Sequence, residues 1–214
     1  MFDPEAPPEL AVSRWFNTTD PLTLAGLKGK VVVLTAFQML CPDCVEHGLP
    51  QVRRLRQNFS PEEVAIVGLH TVFEHHKAMT VDALEAFLHE YRWPFPVGVD
   101  TADGEGMPKT MAAYEMQGTP TLLLFDREGR LRRHYFGKPN DIMLAAEIMA
   151  MAIEDKGAPR EQAAGIEKKL ARVLANPEHG HQHDHEHGED CGCGHDHGHD
   201  GHDHHHHHTP GNAR

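Results

Sequence analysis

Residues 27–44 read LKGKVVVLTAFQMLCPDC. The centre of this stretch, 31–37, is a short β-branched apolar run, which predicts a central strand buried on both faces. Directly after it come Cys41, Pro42, Asp43 and Cys44. Apolar residues then recur at Val45, Leu49, Val52, Leu55 and Phe59, the spacing of an amphipathic helix. Pro50 lies inside that helix and predicts a kink.

A cysteine where a strand hands over to a helix meets N–H groups that lack internal partners and carry partial positive charge. A thiolate is stabilised there; in such motifs the pKa falls from about 8.5 into a range of roughly 3.5 to 7.5. Cys44, three residues on, shares the helical face with Cys41. This spacing assigns Cys41 as candidate nucleophile and Cys44 as resolving thiol. Pro42 suits the first helical turn, where its missing N–H costs nothing. Asp43 disfavours a neighbouring thiolate, which predicts a reducing pair and not a strong oxidant. Two other readings of the pair stand beside this one. A lone CxxC is half of a zinc site, with His47 as a third ligand, and two cysteines can also be inert core residues.

Outward from the motif, a second strand is predicted over 64–69 and a helix over 81–91, with Val81, Leu84, Phe87 and Leu88 on its apolar face. Pro94 and Pro96 make 93–100 an irregular or edge strand at best. A short helix is predicted over 108–116, with Met111 and Tyr114 inward and Met107 beside them. Strands over 121–125 and 130–136 form a hairpin turning at 126–129, where Gly129 stands. Helices over 142–153 and 161–175 close the pattern. The early alternation implies parallel strands with crossover helices, and the hairpin adds antiparallel ones. The fold class is α/β: a central mixed β-sheet flanked by helices.

The chain has 214 residues and a formal net charge of −12. Residues 179–208 hold fourteen of the twenty histidines, seven acids and two cysteines, with no Lys, Arg or aromatic residue. Such a segment has little apolar surface to offset the entropy of ordering, so a disordered C-terminal tail is expected over 179–214. The remaining divisions are an irregular segment at 1–11, the α/β domain at 12–157 and a helix or linker at 158–178. Neither part is basic, which argues against nucleic acid or an anionic membrane as partner. No apolar stretch is long enough to span a bilayer. The start, MFDPEAPPEL, lacks the basic and apolar regions of a signal peptide. A cytoplasmic location follows as the expectation, and close cysteine pairs then read as redox-active or metal-binding.

Three segments together carry a resemblance: 27–44, FLHEYRWPFPVGVD at 87–100, and GTPTLLLFDREGRLRRHYFG at 118–137. Over roughly residues 13–155 the chain resembles the thioredoxin superfamily, and within it the redoxin branch of TlpA-like and ResA-like thiol–disulfide oxidoreductases. The resemblance implies a thioredoxin-like fold and reduction of protein disulfides, with a thiol electron donor and no organic cofactor. It implies that Thr119 and Pro120 form a cis-proline loop facing the cysteine pair, Thr119 offering backbone hydrogen bonds to an extended substrate and Pro120 shielding the sulfurs. The sequence departs from the pattern at Leu40, where many relatives have Trp, and at Thr35, where thioredoxins keep a buried acid as proton relay; Glu115 and Asp100 are the candidate substitutes. Peroxiredoxins resemble this fold too, but Gln38 stands where their Pro-x-x-x-Thr-x-x-Cys pattern has Thr.

His70, His75 and His76 follow the second strand, where loops line the functional edge of an open α/β sheet. They are candidates for a metal relay or a pH-sensitive base, against the plain reading of a polar loop. The tail carries a second set of candidates: His181, His183, His185, His187, Cys191, Cys193, His195, His197, His199, His202, His204, His205, His206, His207 and His208. Imidazole and thiolate suit Zn, Ni or Cu, the interspersed carboxylates attract cations, and the composition is similar to the tails of nickel chaperones. A merely solubilising tail is the alternative. Two hypotheses result: an oxidoreductase whose tail binds a transition metal, or a metal store or metallochaperone in which CPDC is one more ligand site.

Overall fold

A computed structural model describes residues 2–104, 106–155 and 157–174. The metal-ligand candidates of the tail lie outside them. The strands are β1 (Val12–Phe16), β2 (Val31–Phe37), β3 (Val64–His70), β4 (Val97–Asp100), β5 (Thr121–Phe125) and β6 (Leu131–Phe136). The helices are α1 (Leu49–Asn58), α2 (Val81–Tyr91), α3 (Lys109–Ala113), α4 (Asp141–Ala152) and α5 (Arg160–Val173).

Six strands form one sheet in the order β1-β4-β3-β2-β5-β6. β2, β3 and β4 are parallel, joined through α1 and α2. β5 and β1 are antiparallel to their inner neighbours, and β6 runs antiparallel to β5. The sheet is thus mixed, as its strand spacing implied.

β2 lies at the centre, and all seven of its residues are buried because both faces are covered. Val31, Val33 and Phe37 pack against Leu49 and Val52 of α1, Leu84 and Leu88 of α2, and Leu144 and Ile148 of α4. The alternate residues, Val32, Leu34 and Ala36, pack with Met111, Tyr114 and Met116 around α3. Each such aliphatic side chain contributes about 1.5–3 kcal/mol on full burial.

Three expectations need correction. β4 is no edge strand: all four of its residues are buried between β3 and β1. Pro94 and Pro96 fall before its first residue, so no ladder donor is lost. Met107 is 45% exposed and points out of the core that Met111 and Tyr114 enter. The disturbance attributed to Pro50 sits one turn earlier. Residues Cys44–Gly48 are wound as a π-helix, with the Leu49 N–H donating to the Cys44 carbonyl, and Pro50 occupies the first turn of α1 proper.

α5 is tied down by charge. The Arg132 guanidinium, 1% exposed, meets Asp126 at 3.0 Å, Glu154 at 2.9 Å and Glu167 of α5 at 2.8 Å. The segment before β1 is irregular but packed: Phe2 meets the Tyr114 ring at 5.0 Å, and the Glu9 carboxylate accepts from the Leu24 and Ala25 N–H groups at 2.8 Å.

Candidate active site

β2 ends at Phe37, and four residues later Cys41 opens the helix. The Val45 N–H donates to the Cys41 carbonyl at 3.1 Å, and the Cys44 N–H points at Cys41 Sγ at 3.4 Å. Cys41 thus occupies the position of a helix N-cap, with sulfur in place of the usual capping oxygen. A sulfur held there faces the positive end of the helix. Both cysteines are free thiols; Cys41 is half-buried and Cys44 fully buried. Burial pushes the Cys44 thiol up to about 12, helped by its contact with Cys41, while the Gln38 backbone and the Thr119 side chain act in the opposite direction.

The loop before β5 completes the site. The Thr119–Pro120 bond is cis, and the Cys41 thiol donates to the Thr119 carbonyl at 3.3 Å. The loop is pinned by Thr121 Oγ1 donating to the Gly118 carbonyl at 2.7 Å and by the Gly137 N–H donating to the Pro120 carbonyl at 2.8 Å. Gly48 backs onto Pro120: a Cβ added there would stand 3.1 Å from the proline Cβ. Cys41, Cys44, Thr119 and Pro120 are therefore brought together.

The other candidates are distributed differently. Asp100 is committed to α3, where its carboxylate accepts from the Thr110 and Met111 N–H groups at 2.8 and 3.0 Å and from Thr71 Oγ1 at 3.0 Å. Glu115 is exposed. Neither stands in for the missing acid at Thr35, which is itself buried. His47 is exposed on the helix. Among the described residues, no group of three or more His, Cys, Asp or Glu is placed to hold a metal ion. His70 is buried beside Phe37, ring centroids 5.4 Å apart, and desolvation lowers its pKa to about 4. Its Nε2 and that of His76 are buried without a hydrogen-bond partner.

The loop after β3 does reach the site, through a carboxylate and not a histidine. Gln38, 1% exposed, places Nε2 3.5 Å from Glu74 Oε1 and 3.5 Å from Thr119 Oγ1. Sequence reasoning missed Gln38, Glu74 and Gly48. A buried amide directly after a central strand and a glycine within a helical run were the available signals.

Known proteins share this fold. A thioredoxin-like superfamily protein of known crystal structure is 56% identical, covers 70% of this chain and 97% of its own, and superposes with a TM-score of 0.69. A thiol-disulfide isomerase from Corynebacterium glutamicum is 41% identical over 71% of this chain and 98% of its own, TM-score 0.68. A thioredoxin-like protein in its oxidized form, 21% identical over 67% and 90% of the two chains, shares the fold at a TM-score of 0.55. No curated protein matches the sequence significantly. The fold and these relatives define a thioredoxin-like thiol–disulfide oxidoreductase. The model of the AhpC/TSA family matches residues 7–134, and the chain belongs to that family.

Proposed function

We propose that the protein reduces disulfides in protein clients by exchange at Cys41 and Cys44. The observation that carries this reading is the position of Cys41 Sγ, half-exposed and held between the Cys44 N–H and the Thr119 carbonyl. The Cys41 thiolate attacks one sulfur of the client disulfide, forming a mixed disulfide and releasing the other client sulfur as a thiolate. The Cys44 sulfur then displaces the client from Cys41, leaving a Cys41–Cys44 disulfide for a thiol donor to reduce. Pro120 packs beside the pair and keeps other groups off it, and Thr119 offers its backbone to an extended client chain.

Replacing Cys44 with Ser should stall the cycle at the first intermediate. Clients captured on Cys41, and released by dithiothreitol, support the reading. A Cys44→Ser protein that captures none from a cytoplasmic extract under oxidising conditions, while its Cys41 still alkylates, argues against it.

The AhpC/TSA match also favours a second reading, a peroxidase. Gln38 in place of the peroxidatic threonine weighs against it. Thiol-dependent consumption of hydrogen peroxide at rates matching those of client reduction would reverse the preference.

The tail is assigned to transition-metal binding, with the imidazoles of 179–208 and Cys191 and Cys193 as ligands and zinc, nickel or copper as the ion. The metal site is distinct from the exchange site, so Cys41→Ser should leave metal stoichiometry unchanged. Imidazole ligands protonate below about pH 6, and binding should fade there. The cytoplasm is the proposed location.

A further inference from the structure

The resolving step presents a difficulty that the pair alone does not solve. Cys44 is fully buried, its thiol must give up a proton to attack, and the strand before it carries Thr35 where a relay acid would stand. Thr119 stands against the pair, its carbonyl accepting from Cys41 Sγ at 3.3 Å, and its side chain, together with the Gln38 backbone, favours the ionised form of Cys44. Behind Thr119 lies the Gln38 side chain, whose Nε2 spans from Thr119 Oγ1 to Glu74 Oε1 at 3.5 Å on each side. The amide has one sensible orientation. Turned over, it would set its oxygen against the Glu74 carboxylate. In the observed orientation Oε1 is buried with no partner. An unpaired buried acceptor is costly, and such groups in a folded protein call for a reason.

We propose that Gln38 is a positioning residue for the resolving step: its amide, anchored by Glu74, donates to Thr119 Oγ1 and so aims the Thr119 hydroxyl hydrogen at Cys44 Sγ. With one oxygen lone pair engaged by Gln38, the hydroxyl keeps its single hydrogen for the sulfur, the direction that favours a developing thiolate. The inference rests on the reading of Cys41 and Cys44 as an exchange pair. In the step itself the bond between Cys41 and the client sulfur breaks and a Cys41–Cys44 bond forms. The client sulfur takes the electron pair, and the Cys44 proton ends on that sulfur. No outside oxidant or base is needed. A hydroxyl that stabilises the thiolate for the duration of the attack suffices where an acid relay is missing.

The test separates the two sulfurs in time. The full chain, reduced and carrying Cys191→Ser and Cys193→Ser so that only the pair reacts, is mixed with dithionitrobenzoate in the presence of a chelator. The first thionitrobenzoate reports attack by Cys41, and the second reports displacement by Cys44. Gln38→Leu and Thr119→Val should each slow the second release about ten-fold relative to the first, the loss expected for a hydrogen bond to a charged group, and Gln38→Leu should leave the first release unchanged. The double variant should be no slower than Thr119→Val alone, because one residue acts through the other. Thr119→Ser should recover the second release relative to Thr119→Val; this pair carries the test if Gln38→Leu does not fold. Equal slowing of both releases, an unchanged second release, or losses that multiply in the double variant would overturn the inference. Failure of the parent protein to release two equivalents would instead sink the exchange reading itself.

Discussion

Gly48 and Pro120 meet with no room for one more carbon between them: a Cβ on Gly48 would come within 3.1 Å of the proline Cβ and 3.3 Å of its Cγ. Gly48 has ordinary helical dihedrals, φ −63° and ψ −55°. The glycine is therefore needed for close approach and not for backbone freedom. Pro120 cannot easily retreat, because its carbonyl is fixed by the Gly137 N–H and its loop by the Thr121 hydroxyl.

Gly48→Ala sets two effects against each other. Helix propensity gains about 1 kcal/mol, while overpacking costs about 1–3 kcal/mol. A net destabilisation of about 1 kcal/mol is expected in urea unfolding, with slower reduction of a disulfide substrate as the cis-proline loop shifts. A stabilised variant of full activity would show that the loop yields freely.

Cys41 and Cys44 should differ sharply in reactivity. Iodoacetamide at neutral pH is expected to label Cys41 and spare Cys44, whose burial holds the thiol protonated up to about 12. Peptide mapping after brief alkylation, set beside a denatured control in which both react, reads the difference. Equal labelling in the folded protein would contradict the assignment of the two roles.

His70 should make the protein sensitive to mild acid. Its pKa is lowered from 6.5 to about 4 by burial, so the folded state resists protonation more than the unfolded chain does. The folded form is therefore fully favoured above pH 6.5 and loses about 3 kcal/mol as the pH falls to 4. Unfolding free energies measured across that window should slope accordingly, and His70→Leu should flatten the slope whatever it does to absolute stability.

Arg132 is the cation shared by two buried carboxylates, Asp126 and Glu154. With Arg132→Ala, Asp126 and Glu154 remain buried, at 2% and 4% exposure, and lose their common cation. A loss of about 3–5 kcal/mol is expected from breaking such a cluster on one side, read as a lower urea midpoint. Acid should loosen the same region. Burial pushes the Glu167 carboxyl up, but hydrogen bonding to Arg132 and the charges of Arg132, Arg133 and Arg160 outweigh this and hold it below 4.5. The stability Glu167 contributes is present above that value and should be lost as pH falls through its lower folded pKa.

Much of the frame was legible in the residues. β2, α2 and β5 fall at the bounds their periodicity indicated, because a doubly buried strand and an amphipathic helix each write a local pattern. The pairing of Thr119 and Pro120 with the cysteines came from resemblance and is found in space. β4 escaped because two prolines look the same whether they interrupt a strand or precede it, and only the docking of β1 makes that strand interior. Gln38 and Glu74 escaped because their contact spans 36 positions, and no spacing rule reaches across a crossover helix.

The wide turn at Cys44–Gly48 has a further consequence. A helix rotates by about 100° per residue, so accommodating one surplus residue there sets the angular phase of everything downstream. The two sulfurs are indexed by the segment before the surplus residue, and the core-facing side of α1 by the segment after it. Restoring regular winding by deleting a single residue from this turn would leave one of those two alignments correct and throw the other a quarter-turn or more out of line.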